Sequence, residues 1–218
     1  MPLRIETVRN SHSRSAWAPR VKSGRGGITR SRILGHALRF FAQHGYQAAS
    51  IRAIAQAAGA NLGAVNYHFG TKRQLFLTVI ADVVEREWKH ADGLLSAQHP
   101  RECRKALARW SDSCATEDEQ QRVESLLLFR ALVEDSESRN LVHERLLSPL
   151  LARLSTLVAA LGSVQSRQEA EYRATALVAS YMFACYQRLV GNRGHTRACH
   201  KGFLEAVLRV LVFGDRNP

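Results

Sequence analysis

The stretch Asn61–Lys72, NLGAVNYHFGTK, carries the side chains most suited to chemistry in this sequence. It places the phenol of Tyr67, the imidazole of His68 and the ammonium of Lys72 within one short segment. All three groups donate hydrogen bonds. Compact donors of this kind are suited to holding phosphate oxygens. The stretch therefore predicts a contact surface for a polyanion.

The charge distribution supports this prediction. Residues 1–81 contain 12 Lys and Arg and one acid, Glu6, which gives +11 of the formal +12, and the next acid is Asp82. Residues 82–218 contain 19 basic and 18 acidic residues, which gives +1. A carboxylate that faces DNA is repelled over a Debye length of about 8–10 Å, so a DNA-facing surface is best built without acids. The sequence predicts a DNA-binding module joined to a balanced second part.

Short helices are predicted to position these groups. Apolar residues recur with helical spacing from Ile28 onward, and Gly45 is placed to end that helix in a left-handed conformation. Ser50 is the predicted N-cap of a second helix, which Gly59 ends.

Asn61 is the predicted N-cap of a third helix of barely two turns, which ends at Phe69 before Gly70. Thr71 and Gln74 have the spacing of a capping box and start a long fourth helix. The tight connection between the second and third helices is typical of a helix-turn-helix. The third helix is short enough to lie in a major groove about 12 Å wide.

Beyond Asp82 the chain is predicted to be entirely helical. Pro149 is expected to kink or split the helix that contains it. The last two helices are apolar over a wide arc, which predicts burial on a second side, against another copy of the chain. The helices are expected near 71–92, 101–115, 119–135, 139–161, 167–190 and 196–213.

The sequence divides into three predicted parts. Residues 1–27 form either a flexible basic arm or an extension without function, residues 28–75 form the helix-turn-helix domain, and residues 76–218 form the helical body. No apolar run reaches the roughly 18 residues needed to span a bilayer, and no signal peptide is evident, so a cytoplasmic location without membrane partners is expected. The four cysteines have no zinc-site spacing, and neither a metal nor a cofactor is expected.

Residues 28–76 resemble the DNA-binding domain of the TetR family of bacterial transcriptional regulators. The matching pieces are TRSRILGHALRFFAQHGY, SIRAIAQAAGA and NLGAVNYHFGTKRQLF. The resemblance implies an all-α fold of nine to ten helices, a homodimer formed through the last two long helices and a ligand pocket in the C-terminal domain. It also implies a repressor that leaves a palindromic operator in double-stranded DNA when a small-molecule effector shifts its two reading heads.

The expected DNA contacts lie on the first four helices. Arg52 can reach a guanine edge as a bidentate donor, and Lys72 can share the N-terminus of the fourth helix with a phosphate. Gly63 and Ala64 have almost no side chain and would let the third helix sit deep in the groove. The full expected set is Arg30, Ser50, Arg52, Asn61, Leu62, Gly63, Ala64, Asn66, Tyr67, His68 and Lys72.

Some residues of the third helix have other possible roles. Val65 and Phe69 are expected in the core. Leu62 lies between core and groove in its helical phase. Asn66 is either a base reader or a local cap.

The effector is expected to be apolar or aromatic, because the inward faces of the body helices carry few unpaired charges. Plain core packing is the alternative for each of the candidate wall residues. These residues are Trp110, Cys114, Leu126, Phe129, Val133, Tyr181, Met182 and Tyr186.

Two other functions are weighed against a ligand-responsive repressor. An architectural DNA-binding protein without an effector would not need the large neutral body. An enzyme built on a helical bundle would need convergent catalytic groups. The sequence has no matched Glu-x-x-His pairs, no nucleophile elbow and no glycine-rich phosphate loop, so no enzymatic activity is expected.

Overall fold

The computed structural model of the protein describes residues 25–114, 119–161, 164–190, 206–208 and 210. The expected all-α fold is confirmed for these residues. Within them, no helix combines the length and apolar character needed to cross a bilayer. The elements are α1 (Arg25–Ala48), α2 (Ile51–Ala57), α3 (Leu62–Phe69), α4 (Lys72–His90), α5 (Asp92–Ser96), α6 (Pro100–Cys114), α7 (Glu119–Glu134), α8 (Ser136–Val142), a π-helical segment (His143–Leu147), α9 (Ser148–Ala160) and α10 (Arg167–Val190).

The ends of the first helices follow the local sequence signals. Gly45 interrupts α1 with φ 75°, a conformation that side chains with a Cβ rarely adopt. Gly70 follows α3 with φ 73° and ends it. The hydroxyl of Thr71 accepts from the backbone N–H of Gln74, and the Gln74 side chain accepts from the backbone of Thr71. This capping box starts α4, as the sequence predicts.

Two predictions about the ends of the chain need correction or fall outside the structure. The helix expected from residue 28 begins earlier, at Arg25, so the last residues of the expected arm belong to α1. Residues 1–24 lie outside the described residues, as does most of the helix expected at 196–213, of which 206–208 are helical.

Two hydrophobic clusters organise the molecule. The first joins the buried faces of α1 to α4, where Phe41 and Phe76 meet edge to face at 5.0 Å, and continues into α7 and α8. The second joins α5, α6, α9 and α10. Trp88 on α4 is partly buried against both clusters. The core of the N-terminal part therefore extends beyond the domain limit expected at residue 75.

Pro149 splits the helix expected at 139–161. The backbone is π-helical from His143 to Leu147, and Pro149 lies in the first turn of α9. Proline has no N–H to donate to the carbonyl four residues earlier, which belongs to Arg145. The indole Nε1 of Trp88 donates to that carbonyl at 2.7 Å. A side chain of α4 thus satisfies the backbone group that the proline releases.

Polar side chains of α7 hold the end of α1. The Arg130 guanidinium donates to the carbonyl of Ala42 at 2.7 Å and to that of Gln43 at 3.1 Å. The Glu134 carboxylate accepts from the backbone N–H of Tyr46 at 2.9 Å. These contacts satisfy backbone groups left open where Gly45 interrupts α1.

A second polar contact joins α4 to the start of α8. The Arg73 guanidinium donates to both carboxylate oxygens of Asp135, at 2.6 and 2.8 Å, and to Glu137 at 2.7 Å. Asp135 is also the N-cap of α8 and accepts from the backbone N–H of Ser138. The Arg73 hydrogen bonds hold the pKa of Asp135 well below its usual value. They raise the pKa of Arg73.

We expect the Trp88 hydrogen bond to show as coupling with Pro149. Trp88→Phe keeps an aromatic ring but leaves the Arg145 carbonyl without this donor, which should cost about 1–3 kcal/mol. In a Pro149→Ala background the restored N–H can donate to the same carbonyl, so Trp88→Phe should cost about 1 kcal/mol less. Urea unfolding of the two single variants and the double variant measures the difference. Equal costs in both backgrounds would show that the indole bond does not replace the hydrogen bond that Pro149 cannot make.

The role of Asp135 in stability should depend on pH. Asp135→Asn removes the charge but keeps an N-cap acceptor, and we expect it to cost roughly 1–2 kcal/mol at pH 7. Because the folded pKa is lowered, the native pair stabilises above the unfolded pKa of about 4 and loses this effect as pH falls below it. The difference in the free energy of unfolding between wild type and Asp135→Asn, measured with urea, should therefore become smaller below about pH 4. As a control, Asp135→Ala also loses the cap and should cost about 1 kcal/mol more. A gap that does not change with pH would contradict the ionic origin.

Candidate nucleic-acid interface and ligand cavity

Helix α3 has one buried and one exposed face. Val65 and Phe69 are 2% and 6% exposed and pack in the first cluster, as expected. The opposite face points to solvent, and its residues recur with the spacing of one helical side. They are Leu62, Gly63, Asn66 and Tyr67. The structure therefore places Leu62 and Asn66, both left open by the sequence, on the exposed side.

The aromatic end of α3 is positioned by ring contacts. Tyr67 is 79% exposed, and its ring meets that of half-buried His68 edge to face at 5.2 Å. The guanidinium carbon of Arg30 lies 5.3 Å from the centre of the Phe69 ring. Arg30 Nε is buried and has no hydrogen-bond partner among the described residues. Arg30 and Tyr67 are thus placed at the same end of α3.

Two of the expected contact residues also cap helices. The Ser50 hydroxyl accepts from the N–H of Ala53 at 3.4 Å, and the Asn61 side-chain oxygen accepts from the N–H of Ala64 at 2.7 Å. Each is exposed, and each keeps a donor, the Ser50 O–H or the Asn61 amide. Arg52 is exposed on α2, two residues after Ser50. The starts of α2 and α3 therefore present donors to solvent.

Lys72 has a structural role that the sequence does not reveal. Its Nζ donates to the carbonyl of Gln47 at 3.0 Å and lies 4.8 Å from the centre of the Tyr46 ring. A cation near the end of α1 is favoured by the negative end of that helix. This explains why a lysine is tolerated in the first turn of α4. The ammonium has three donors, so it can still bind an anion.

The exposed side of α1, α2 and α3 has no carboxylates of its own, because these helices contain no acidic residue. The acids near them come from the body. Asp135 and Glu137 bind Arg73, and Glu134 binds the backbone of Tyr46. These contacts involve α1 and α4 and leave the exposed residues of α3 without a carboxylate partner among the described residues.

A small cavity lies between α7, α10 and the segment from α8 to the π-helix. Its volume is about 20 Å³, which is room for about one water molecule. Phe129, Leu132, Leu147 and Met182 are half-buried and form its outer side. The inner side is buried and consists of Ser125, Leu128, Val142, Leu146 and Tyr181.

The structure brings together three of the predicted wall residues at this cavity, namely Phe129, Tyr181 and Met182. Trp110 is buried in the second cluster, and its ring lies 5.5 Å from that of Tyr181. Leu126 packs against the first cluster. The side chain of Cys114 lies outside the described residues.

Two predicted wall residues are corrected. Val133 is 78% exposed and Tyr186 is 49% exposed, and neither lines the cavity. On α7 the cavity is lined instead by Leu128 and Leu132. The predicted face of this helix was therefore rotated by about one residue, from Val133 to Leu132. The sequence could not fix this phase, because four of the six positions from Val123 to Leu128 are apolar and do not mark one face of the helix.

The fold and this site define a helix-turn-helix protein whose first helices share a core with a larger helical body. Residues 33–79 match the family model described as "Bacterial regulatory proteins, tetR family". The chain is 41% identical over 58 residues to the HTH-type transcriptional repressor AcnR of Corynebacterium efficiens, a match that covers 27% of this chain and 31% of that protein. It is 29% identical over 148 residues to the HTH-type transcriptional dual regulator CecR of Shigella flexneri, covering 62% and 66%.

Solved structures share the fold over most of the chain. A transcriptional regulator from Rhodococcus sp. RHA1 superimposes with a TM-score of 0.72 at 22% identity and covers 87% of this chain and 99% of its own. A regulator from Saccharomonospora viridis in complex with choline superimposes with a TM-score of 0.69 at 22% identity, covering 83% and 95%. Residues 33–79 are thus similar to TetR-family regulatory proteins, and the chain shares its fold with solved transcriptional regulators. Its match to AcnR spans about a third of that relative's length.

Proposed function

We propose that the protein is a transcriptional regulator that binds DNA through α3. The observation that carries this proposal is the exposed, acid-free face of α3, flanked by the donors of Ser50, Arg52 and Lys72. Direct readout of a duplex needs a short element that enters the major groove, and phosphate contacts on both sides fix its register. The family match covers these same helices. The name of AcnR, a transcriptional repressor, supports repression as the main mode, whereas CecR is named a dual regulator.

The regulator is proposed to act as a homodimer on a palindromic operator in the cytoplasm. Aromatic side chains on α10 support this arrangement, since Tyr172, Phe183 and Tyr186 are 65%, 49% and 49% exposed. They recur with helical spacing, while Leu177 and Tyr181 on the same helix are buried. Pairing through this face would bury the aromatic residues. The two α3 helices would then need to lie about 34 Å apart, one turn of DNA.

A small-molecule effector is proposed to bind at the cavity and release the DNA. The mostly apolar lining supports the expected apolar or aromatic ligand, and the choline-bound neighbour is a protein of this fold that holds a small molecule. A ligand larger than water would have to widen the cavity. The outer residues Phe129, Leu132, Leu147 and Met182 are half-buried, and movement of these side chains would open it.

Binding through Lys72 is expected to show in the salt dependence. Lys72→Ala should flatten the log–log salt slope of DNA affinity by about 0.9, because one phosphate is then no longer neutralised. Lys89→Ala is the matched control, because it removes the same charge from the exposed far end of α4, about 25 Å away. Mobility shifts with a duplex selected from a random pool by the wild-type protein measure both slopes. Equal slopes for Lys72→Ala and wild type would show that Lys72 binds no phosphate.

Gly63→Ala is expected to separate DNA binding from folding. A Cβ at Gly63 would meet only the Asn61 side-chain oxygen, at 3.4 Å, which is ordinary contact. Alanine within a helix should therefore stabilise the free protein by about 0.5–1 kcal/mol. If α3 lies deep in the groove, the same change should lower DNA affinity. The measurements are urea unfolding and a mobility shift, and unchanged affinity would place Gly63 away from the bases.

A further inference from the structure

The cavity beside α7 contains one polar group that the fold leaves unused. Ser125 lines the cavity, is 4% exposed, and its hydroxyl makes no hydrogen bond with the described residues. The hydrogen-bonding capacity of this hydroxyl is therefore available to a molecule in the cavity. The other polar group of the lining, the Tyr181 phenol, donates to the Glu87 carboxylate at 2.8 Å. Ser125 is therefore the group available both to donate to and to accept from a ligand.

The charges around the cavity argue against an ionic ligand. No Lys, Arg or His among the described residues lines it, so a ligand carboxylate would meet no cation there. The carboxylates of Glu124, next to Ser125 in the chain, and of Glu87, which binds Tyr181, are both already engaged. Glu124 is 1% exposed and is bound by Arg86 at 3.2 Å and by Gln120 at 2.8 Å. A ligand ammonium would have to lose its hydration without gaining a counter-ion of its own.

We infer that the cavity takes a neutral, mainly apolar molecule with a single hydrogen-bonding group, and that Ser125 is the residue that binds this group. The inference rests on the proposed function, because it names the class of effector for the same cavity. The apolar part of the ligand packs between Phe129 and Leu132 on one side and Leu147 and Met182 on the other. An alcohol, phenol or ketone satisfies this arrangement, whereas a fatty acid or an amine does not.

Three probes with the same carbon chain test the inference, namely hexanol, hexanoate and hexylamine. Thermal unfolding of the full chain at pH 7 measures binding, since a ligand of the native state raises the midpoint. We expect hexanol to raise it and the two charged probes to leave it unchanged. Ser125→Ala should weaken hexanol binding by about 5–10-fold, the loss of one hydrogen bond. Ser136→Ala, at the start of α8 and away from the cavity lining, is the matched control and should bind hexanol as wild type does.

Three outcomes would overturn the inference. Hexanoate or hexylamine binding as tightly as hexanol would contradict the neutral class. Equal hexanol affinity in wild type and Ser125→Ala would show that Ser125 is not the anchor. No stabilisation by any probe would show that the cavity is not the site.

A mobility shift of the same preparations without any probe tests the regulator proposal separately. DNA binding in the absence of probe binding would leave that proposal standing while this inference fails. Hexanol binding by a protein that shifts no DNA would support the assignment of the cavity while the regulator proposal fails.

Discussion

The orientation of α3 is the constraint on which the proposed interface depends. An isolated helix of eight residues is not stable in water, so α3 takes its position from tertiary packing. Val65 and Phe69 anchor it to the first cluster, which α4 also enters along much of its length. Helix α4 then continues into the body, where Trp88 touches both clusters. The exposed face of α3 is thus fixed to the body by one continuous helix.

Helix α7 gives a second physical connection between the cavity and the N-terminal helices. Phe129 and Leu132 lie at the cavity, while Arg130 and Glu134 hold the backbone near the end of α1. Neighbouring positions of one rigid helix therefore serve both regions. The π-helical segment adds a third connection, because Trp88 of α4 binds its Arg145 carbonyl. A movement of the cavity wall has packed and hydrogen-bonded routes to α1 and α4, which is the structural condition for coupling two sites.

Local signals made much of the N-terminal fold predictable. Capping residues such as Ser50, Asn61 and Thr71 act within a few positions of the chain, so the sequence alone places the helix starts. Contacts between distant segments were not predictable in this way. Neither the pairing of Lys72 with the Gln47 carbonyl nor that of Arg73 with Asp135 has a local signature.

The cavity was harder to predict than the exposed face of α3. Only two buried residues anchor α3, whereas α7 is apolar on most of its circumference, and hydrophobic periodicity then gives no direction. The prediction reached Phe129 but also included Val133, which faces solvent. Ser125 was missed because a lone serine on a helix has no pattern. Its place on the cavity lining is visible only once the neighbouring helices are in place.

The structure also changes what the charge count means. Adjacent cations at the start of α4 have different environments, since Arg73 is bound by two carboxylates of the body while Lys72 binds a neutral carbonyl. Arg30 stacks on Phe69. The +11 of residues 1–81 therefore overstates the charge that these helices offer to a duplex. Because salt dependence follows the number of phosphates neutralised and not the net charge, it should reflect outward groups such as Arg52 and Lys72.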